Sequence, residues 1–211
     1  MSEEIEIKLV GPLEALDKLL ESHFLADYAE YKGRQQMRNC YYDTADLALN
    51  RLAMALRIRQ RDDAYLQTLK TKGESVDGLH RRLEWEWPIE RAELDLSRLP
   101  SSHWPETVAV TDLHPVFETN LERQLWHCTG KSEQGQHYCV EVALDLGQVL
   151  VSKPDMQLSE PIAELELELL EGDPAALVML ADALRRELPQ LAPSDISKAQ
   201  RGFALLNTRD Q

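Results

Sequence analysis

The chain has 211 residues, of which 43% are hydrophobic and 28% are charged, and its formal net charge is −14. This composition is typical of a globular protein with a substantial core and excludes a mainly disordered chain. The acidic balance argues against nucleic-acid binding by bulk electrostatics. We find no signal-peptide pattern and no apolar run near the ~20 residues that span a bilayer, so we expect a cytoplasmic protein with no membrane partner.

The first predicted element is a strand over residues 3–10, in which charged and apolar side chains alternate. This alternation places Glu4, Glu6 and Lys8 on one face of the strand and apolar residues on the other. Leucines at helical spacing then predict an amphipathic helix over residues 13–24.

Four further strands are predicted in the first half of the chain, and one of them carries paired arginines. They cover residues 37–44, 53–61, 64–72 and 80–89. A short turn at Asp62-Asp63 joins two of them into a β-hairpin. Arg57 and Arg59 share a face of the first hairpin strand, and a polar loop over residues 73–78 follows the second.

The second half of the chain is predicted to add more strands and two final helices. The strands cover residues 117–128, 137–146 and 161–170, with a turn at 129–136 and a short extra strand at 147–151. Asp173-Pro174 is a strong helix start, because Asp caps a helix and Pro suits its first position. A last helix is predicted from near Ser197. The sum is an α+β protein with about eight mostly antiparallel strands.

Charged residues recur on single faces of these strands: Glu164, Glu166 and Glu168 share a face of the last one, and Arg57 and Arg59 share a face of an earlier one. A solvated sheet face gives the same alternation. However, like charges two residues apart on one face repel each other, and about eight antiparallel strands can close a barrel. A buried charged interior is tolerable when acids pair with bases and a charged ligand binds there. We therefore expect a closed, tunnel-like β-barrel with a charged interior, flanked by helices.

The types of charged residue indicate the ligand. Between Arg51 and Arg82 the chain has eight basic residues and four acidic ones, and this basic segment within an acidic protein suggests a local anion site. Clustered Arg and Lys match the oxygens of a polyphosphate, and carboxylates without His or Cys suit Mg²⁺ or Mn²⁺. The sequence has no P-loop, so side chains must hold the phosphates. Together these features favour metal-assisted phosphoryl chemistry.

The motifs resemble those of the CYTH superfamily, also called triphosphate tunnel metalloenzymes. Glu4-Ile5-Glu6-Ile7-Lys8 is similar to the ExExK signature of that family, and the resemblance runs through almost the whole chain in order and spacing. The other matching stretches are Tyr41-Tyr42-Asp43-Thr44, Leu56-Arg57-Ile58-Arg59, Thr68-Leu69-Lys70, Arg82-Leu83-Glu84, Arg123, Ala143-Leu144-Asp145, Glu164-Leu165-Glu166 and Ser197-Lys198-Ala199…Arg201-Gly202. Residues 1–211 are accordingly expected to form a single CYTH domain.

The resemblance is greatest to bacterial inorganic triphosphatases in which a helical CHAD domain follows the CYTH domain, so a CHAD domain is an expected partner in a longer protein. It implies metal-dependent hydrolysis of inorganic triphosphate to pyrophosphate and phosphate inside the tunnel. The implied catalytic residues are Glu4, Glu6, Lys8, Arg57 and Arg59. The implied substrate-binding residues are Lys8, Arg57, Arg59, Lys70, Arg82, Arg123, Lys198 and Arg201.

The metal ligands that the resemblance implies, for Mg²⁺ or Mn²⁺, are Glu4, Glu6, Asp145, Glu164, Glu166 and Glu168. The last three form a run of same-face glutamates where many family members have two, which leaves the register of the run open by two residues. A carboxylate of the N-terminal pair or of this run would orient the attacking water.

Three other functions are compatible with the same motifs. A class IV-type adenylyl cyclase and a thiamine triphosphatase would use the same fold on an organic triphosphate. A non-catalytic module would bind polyphosphate or a nucleotide without turnover. The retention of both acids and bases favours an enzyme, because a pure anion binder does not need the acids.

Overall fold

The computed structural model describes residues 1–132 and 135–208, so part of the predicted turn at 129–136 and the last three residues of the predicted domain lie outside the described residues. The described strands are β1 Ser2–Val10, β2 Ala29–Asp43, β3 Ala55–Arg61, β4 Ala64–Lys70, β5 Glu74–Val76, β6 Leu79–Ile89, β7 His114–Lys131, β8 His137–Lys153, β9 Met156–Glu171 and β10 Ala192–Pro193. The described α-helices are α1 Leu13–Leu19, α2 His23–Tyr28, α3 Ala48–Arg51, α4 Ala175–Glu187 and α5 Lys198–Leu206. None of these helices is long and apolar enough to cross a membrane.

Eight strands close into a barrel in which every neighbouring pair is antiparallel. Their order around the barrel is β1-β9-β8-β7-β2-β3-β4-β6, and pairing of β1 with β6 completes the circle. The two short strands extend the edges, since β5 pairs with β6 and β10 pairs with β1. The predicted α+β fold and the closed, tunnel-like antiparallel barrel are confirmed.

The outer face of the barrel is apolar and is covered by helices and a long loop. Helices α1 and α4 pack over β1, β8 and β9, and α2 packs over β2 and β7; Leu9, Leu167 and Leu177 are completely buried in this core. The segment between β6 and β7 covers Leu56 and Leu69 on β3 and β4. Burial of one such side chain stabilises the fold by about 1.5–3 kcal/mol. The outer core therefore supplies the stability that a charged interior does not.

The predicted single helix over residues 13–24 is wrong, because two helices occupy this stretch. Ser22 begins the second helix, with its hydroxyl accepting a hydrogen bond from the Leu25 backbone N–H at 3.2 Å. The Glu187 carboxylate accepts two more, from the backbone N–H groups of His23 at 2.7 Å and Phe24 at 3.0 Å. Glu187, which is 163 residues from Phe24 in the sequence, thus fixes the point at which the second helix begins.

Strands β2, β7, β8 and β9 are longer than predicted, whereas β3 and β4 are each two residues shorter. The separate strand expected at 147–151 is wrong. This segment continues β8 through Gly147 without interruption. A side chain at Gly147 would collide with the backbone oxygen of Asn120 on β7, so glycine lets the two strands stay paired. The loop predicted at 73–78 contains the short strand β5.

The two predicted starts of the late helices agree with the structure. Before α4, the Asp173 carboxylate accepts a hydrogen bond from the Ala175 backbone N–H at 2.8 Å. At α5, Ser197 and Gln200 form a capping box, in which each side chain bonds the backbone N–H of the other residue. This box fixes the first turn of α5 and directs Lys198 into the barrel.

Candidate active site

The barrel interior encloses a cavity of about 380 Å³ with mostly charged walls. The structure brings most of the predicted site residues to these walls. They are Glu4, Glu6, Lys8, Arg57, Arg59, Lys70, Arg82, Arg123, Glu166, Glu168 and Lys198. Asp145 and Glu164 are buried against this group and contact it through ion pairs. Arg201 lies to one side, where it pairs with Glu160 at 2.6 Å and approaches Glu164 only to 3.8 Å.

Three predicted metal ligands form a compact group, which we call the carboxylate triad: Asp145, Glu164 and Glu166. One oxygen of each lies within 4.8 Å of the others. Strand register creates the group, because Asp145 on β8 is directly opposite Glu164 on β9. Side chains directly opposite each other on one face are close neighbours.

Three cations neutralise the carboxylate triad. Lys8, with only 1% of its surface exposed, donates to Glu164 and Glu166 at 2.9 Å each. Lys198 lies 2.5, 2.6 and 2.8 Å from oxygens of Glu164, Asp145 and Glu166. The third cation is Arg123, which holds Asp145 through two hydrogen bonds of 2.7 Å and reaches Glu166 at 2.7 Å.

These contacts change the acidity of the groups. Burial by itself would raise the pKa of Glu166, but Lys198, Lys8 and Arg123 hold that pKa well below its ordinary value. Burial likewise opposes ionisation of Asp145, and Arg123 and Lys198 lower its pKa. Because these carboxylates stay charged, they can release the neighbouring Lys and Arg side chains and bind a metal cation instead.

A second group, the N-terminal cluster, contains Glu4, Glu6, Lys70, Arg82 and Glu84. Glu4 accepts from Lys70 at 2.5 Å and from Arg82 at 2.6 Å. Arg82 also donates to Glu6 at 2.9 Å, and Lys70 lies 3.2 Å from Glu84. The antiparallel pairing of β1 with β6 places Glu4 directly opposite Arg82. The ExExK acids are therefore inside the barrel and are neutralised by bases.

Arg57 and Arg59 differ from the other lumen bases because they have little or no carboxylate neutralisation. Arg57 is 8% exposed, its Nε has no hydrogen-bond partner in the described part of the chain, and its Nη2 reaches Glu84 only at 4.0 Å. Arg59 donates its Nε–H to the Asn39 side-chain oxygen at 3.1 Å. Burial and the neighbouring Arg57 and Arg123 charges lower the pKa of Arg59 to about 10, so it remains a cation at neutral pH. These guanidinium groups are available to a phosphate.

All three glutamates of the β9 run face the lumen, because Glu166 is opposite Lys8 and Glu168 is opposite Glu6 on β1. Glu168 differs from the other two in having no ion pair among the described residues. Burial first, and then the Glu4, Glu6 and Glu84 carboxylates, raise its pKa to about 8, although Lys70 opposes this shift. Glu168 is thus mostly protonated in the folded protein at neutral pH.

We expect Glu168→Gln to make the protein more stable at pH 8 than the unchanged protein. The pKa of Glu168 rises from its ordinary 4.5 to about 8 on folding, so its contribution to stability is present below pH 4.5 and is lost as the pH rises through 8. Thermal melting between about pH 5 and 8 tests this. The matched control is Glu171→Gln, at the exposed end of the same strand. Equal pH slopes for the two variants would contradict the expectation.

Sequence reasoning missed two neutral residues in this interior. Asn39 on β2 and Thr119 on β7 are buried beside Arg59 and bond to each other at 2.9 Å. The period-two pattern contained a signal for Asn39, because it precedes Tyr41 by two residues on a predicted strand. Because both side chains are neutral, the charge pattern of the sequence gives no signal for their role.

The donor chemistry of the interior fits a hard divalent cation. The carboxylate triad offers oxygen ligands without His or Cys, as Mg²⁺ and Mn²⁺ prefer. The buried Glu164 Oε2 has no hydrogen-bond partner within the described residues, and the Arg201 guanidinium approaches it only to 3.8 Å. An unsatisfied buried carboxylate oxygen is costly, so this atom is suited to binding a cation.

Comparisons with known proteins agree with this geometry. The CYTH domain model matches residues 2–203. The chain is 32% identical over 208 residues to an inorganic triphosphatase of Haemophilus influenzae, covering 97% of this chain and 55% of that relative, so it spans about half of the relative's length.

Solved structures share the fold. A proposed adenylyl cyclase from Hippeastrum with a dominant triphosphatase activity superposes with a TM-score of 0.68 at 18% identity, covering 95% of both chains. A Pyrococcus horikoshii protein gives a TM-score of 0.59 at 20% identity, covering 95% of this chain and 98% of its own. The family match over nearly the whole chain, together with the charged barrel interior, shows that this chain belongs to the CYTH domain family.

Proposed function

We propose that this protein hydrolyses inorganic triphosphate to pyrophosphate and phosphate inside the barrel, with Mg²⁺ or Mn²⁺ as cofactor. The observation that carries the proposal is an enclosed lumen in which Arg57 and Arg59 lack close carboxylate partners while acids suited to a hard cation lie nearby. The similarity to the Haemophilus inorganic triphosphatase supports the choice of reaction.

The ion pairs of the lumen suggest how substrate enters without leaving buried charges unpaired. Lys8, Lys70, Arg82, Arg123 and Lys198 would exchange carboxylate oxygens for phosphate oxygens, and Arg201 would assist from the side. The acids they release would hold the cation; they are Glu4, Glu6, Asp145, Glu164 and Glu166, with Glu168 as a further ligand. This exchange avoids the large cost of an uncompensated buried charge. When bound, the cation would neutralise phosphate charge and polarise the phosphoryl group.

Catalysis then needs little covalent participation by the protein. Arg57 and Arg59 would hold a phosphoryl group so that water attacks in line, and positioned charges would stabilise the transition state. A carboxylate of the Glu4 and Glu6 pair or of the β9 run would orient that water. Because every one of these groups is held by strands, the geometry is preorganised.

The lumen favours inorganic triphosphate over an organic one. Its aromatic wall residues are Tyr41 and Phe203 among the described residues, and both pack on Phe117, with ring centroids 4.5 and 5.0 Å apart. Trp85 packs in the outer core, away from the lumen charges. Neither of these two wall rings is therefore free to stack on adenine or thiamine. This argues against the cyclase and the thiamine triphosphatase.

Phosphate release from triphosphate, pyrophosphate, ATP and thiamine triphosphate, each with Mg²⁺, Mn²⁺ or EDTA, tests the proposal. We expect metal-dependent turnover of triphosphate that exceeds turnover of the other three by more than about tenfold. Cyclic AMP should be absent from the ATP reactions. Equal rates on ATP, or tight triphosphate binding without turnover, would contradict the proposal and favour an organic substrate or a binding module.

We further propose that residues 1–211 act as a single cytoplasmic CYTH domain with a small-molecule substrate. The match over residues 2–203 supports one domain. The proposal that a CHAD domain accompanies it in a longer protein rests on the sequence resemblance.

A further inference from the structure

The lumen bases fall into two sets according to their partners. The first set is held by carboxylates within 3.0 Å; it contains Lys8, Lys70, Arg82, Arg123 and Lys198. Arg59 belongs to the second set, since its bonded partner is a neutral amide, Asn39. Glu86 is near enough to interact with Arg59 electrostatically, but it forms no ion pair with it among the described residues.

Asn39 is the centre of a row across three strands. It is opposite Arg59 on β3 and opposite Thr119 on β7. Its Oδ1 accepts from Arg59 Nε at 3.1 Å, and its Nδ2 donates to the Thr119 hydroxyl at 2.9 Å. Asn39 is 1% exposed and Thr119 is completely buried, so water does not compete for these bonds.

The Arg59 Nε–H, which can only donate, fixes which way the Asn39 amide faces, and the Thr119 hydroxyl accepts from the other end of that amide. A hydroxyl can accept from the NH₂ group, and this leaves the amide oxygen for the Arg59 Nε–H. In the reversed orientation, the Asn39 NH₂ group and the Arg59 Nε–H would face each other, and both are donors. The row therefore holds Arg59 by one nitrogen without adding a negative charge.

We propose that Asn39 and Thr119 are positioning residues for Arg59, which present its two terminal nitrogens to phosphate oxygens as an unneutralised cation. An aspartate at position 39 has nearly the same shape but would pair with Arg59 and compete with the substrate. The inference rests on the proposed function only for the identity of the anion, inorganic triphosphate.

Calorimetric measurement of inorganic triphosphate binding in EDTA tests the role of Asn39 and Thr119 in the absence of turnover. KM and kcat are measured in parallel with Mg²⁺. We expect Thr119→Val to weaken binding and raise KM about fivefold with little change in kcat, because one buried hydrogen bond is lost. Thr119→Ser keeps the hydroxyl and should restore both values. Asn39→Asp should weaken binding by more than about tenfold, because it neutralises Arg59. The control is Thr129→Val, at an exposed position of β7.

The outcomes separate this inference from the proposed function. If Thr119→Val and Asn39→Asp match the Thr129→Val control in affinity and KM, or if the unchanged protein does not bind triphosphate in EDTA, the row is only structural and the inference is wrong. If binding depends on the row but triphosphate is not hydrolysed, the positioning role stands and the proposed function fails.

Discussion

Glu6→Gln is expected to lower metal-dependent phosphate release from triphosphate by at least about 100-fold, the usual scale for loss of one preorganised charged group. Glu6 is 3% exposed and its carboxylate accepts from Arg82 at 2.9 Å. Glutamine keeps the size of the side chain and an oxygen for Arg82, but it removes the charge that would hold a cation. The loss should therefore appear in turnover and metal dependence, while the protein stays folded because Arg82 keeps its 2.6 Å bond to Glu4.

The matched control for this substitution is Glu3→Gln. Glu3 is the neighbouring acid of β1 on the opposite face of the strand, and it is exposed. It should leave activity within about twofold, as surface substitutions usually do. Should the Glu6 variant keep activity within a few-fold of the control, Glu6 has no role in holding the cation.

Lys198→Met is expected to lower the free energy of unfolding by about 3–5 kcal/mol, the usual cost of breaking a buried ion pair from one side. Lys198 contacts all three carboxylates of the triad at 2.5–2.8 Å. Methionine fills similar volume but leaves three acids facing Lys8 and Arg123. Urea unfolding measures the change, and Lys18→Met on the exposed face of α1 is the control.

The response of this variant to Mg²⁺ provides a second measurement. Without Lys198, the triad oxygens within 4.8 Å of one another form a site with excess negative charge. We therefore expect Mg²⁺ to raise the melting temperature of the Lys198→Met variant more than that of the unchanged protein, by mass action. A variant as stable as the control, with no response to Mg²⁺, would show that the triad does not depend on α5.

The paired interior explains how a barrel full of charge is stable before substrate binds. Acids and bases neutralise one another across strands, while the apolar outer face and its helices supply the hydrophobic core. A metal–triphosphate complex would bind to the side chains of these same ion pairs. Under the proposed function, one set of side chains would therefore determine both stability in the free state and affinity for the substrate.

The sequence by itself determined the local features of this protein. Period-two alternation placed Glu4, Glu6 and Lys8 on one face, because successive side chains of any strand point in opposite directions. The helix start near Ser197 and the Asp173-Pro174 start were also predicted from the sequence, since a helix end is satisfied by residues within one turn. Motif order then identified the closed barrel through resemblance to a family.

Only the tertiary structure decided which charges meet. Lys8 reaches Glu164 across 156 residues of chain, and that contact follows from the register of strands around the whole barrel. The break before α2 needs Glu187, and the neutral partner of Arg59 needs Thr119 from a third strand. Local pattern fixes the face that a side chain takes, but barrel closure and long-range register choose its partner, because those depend on all the strands together.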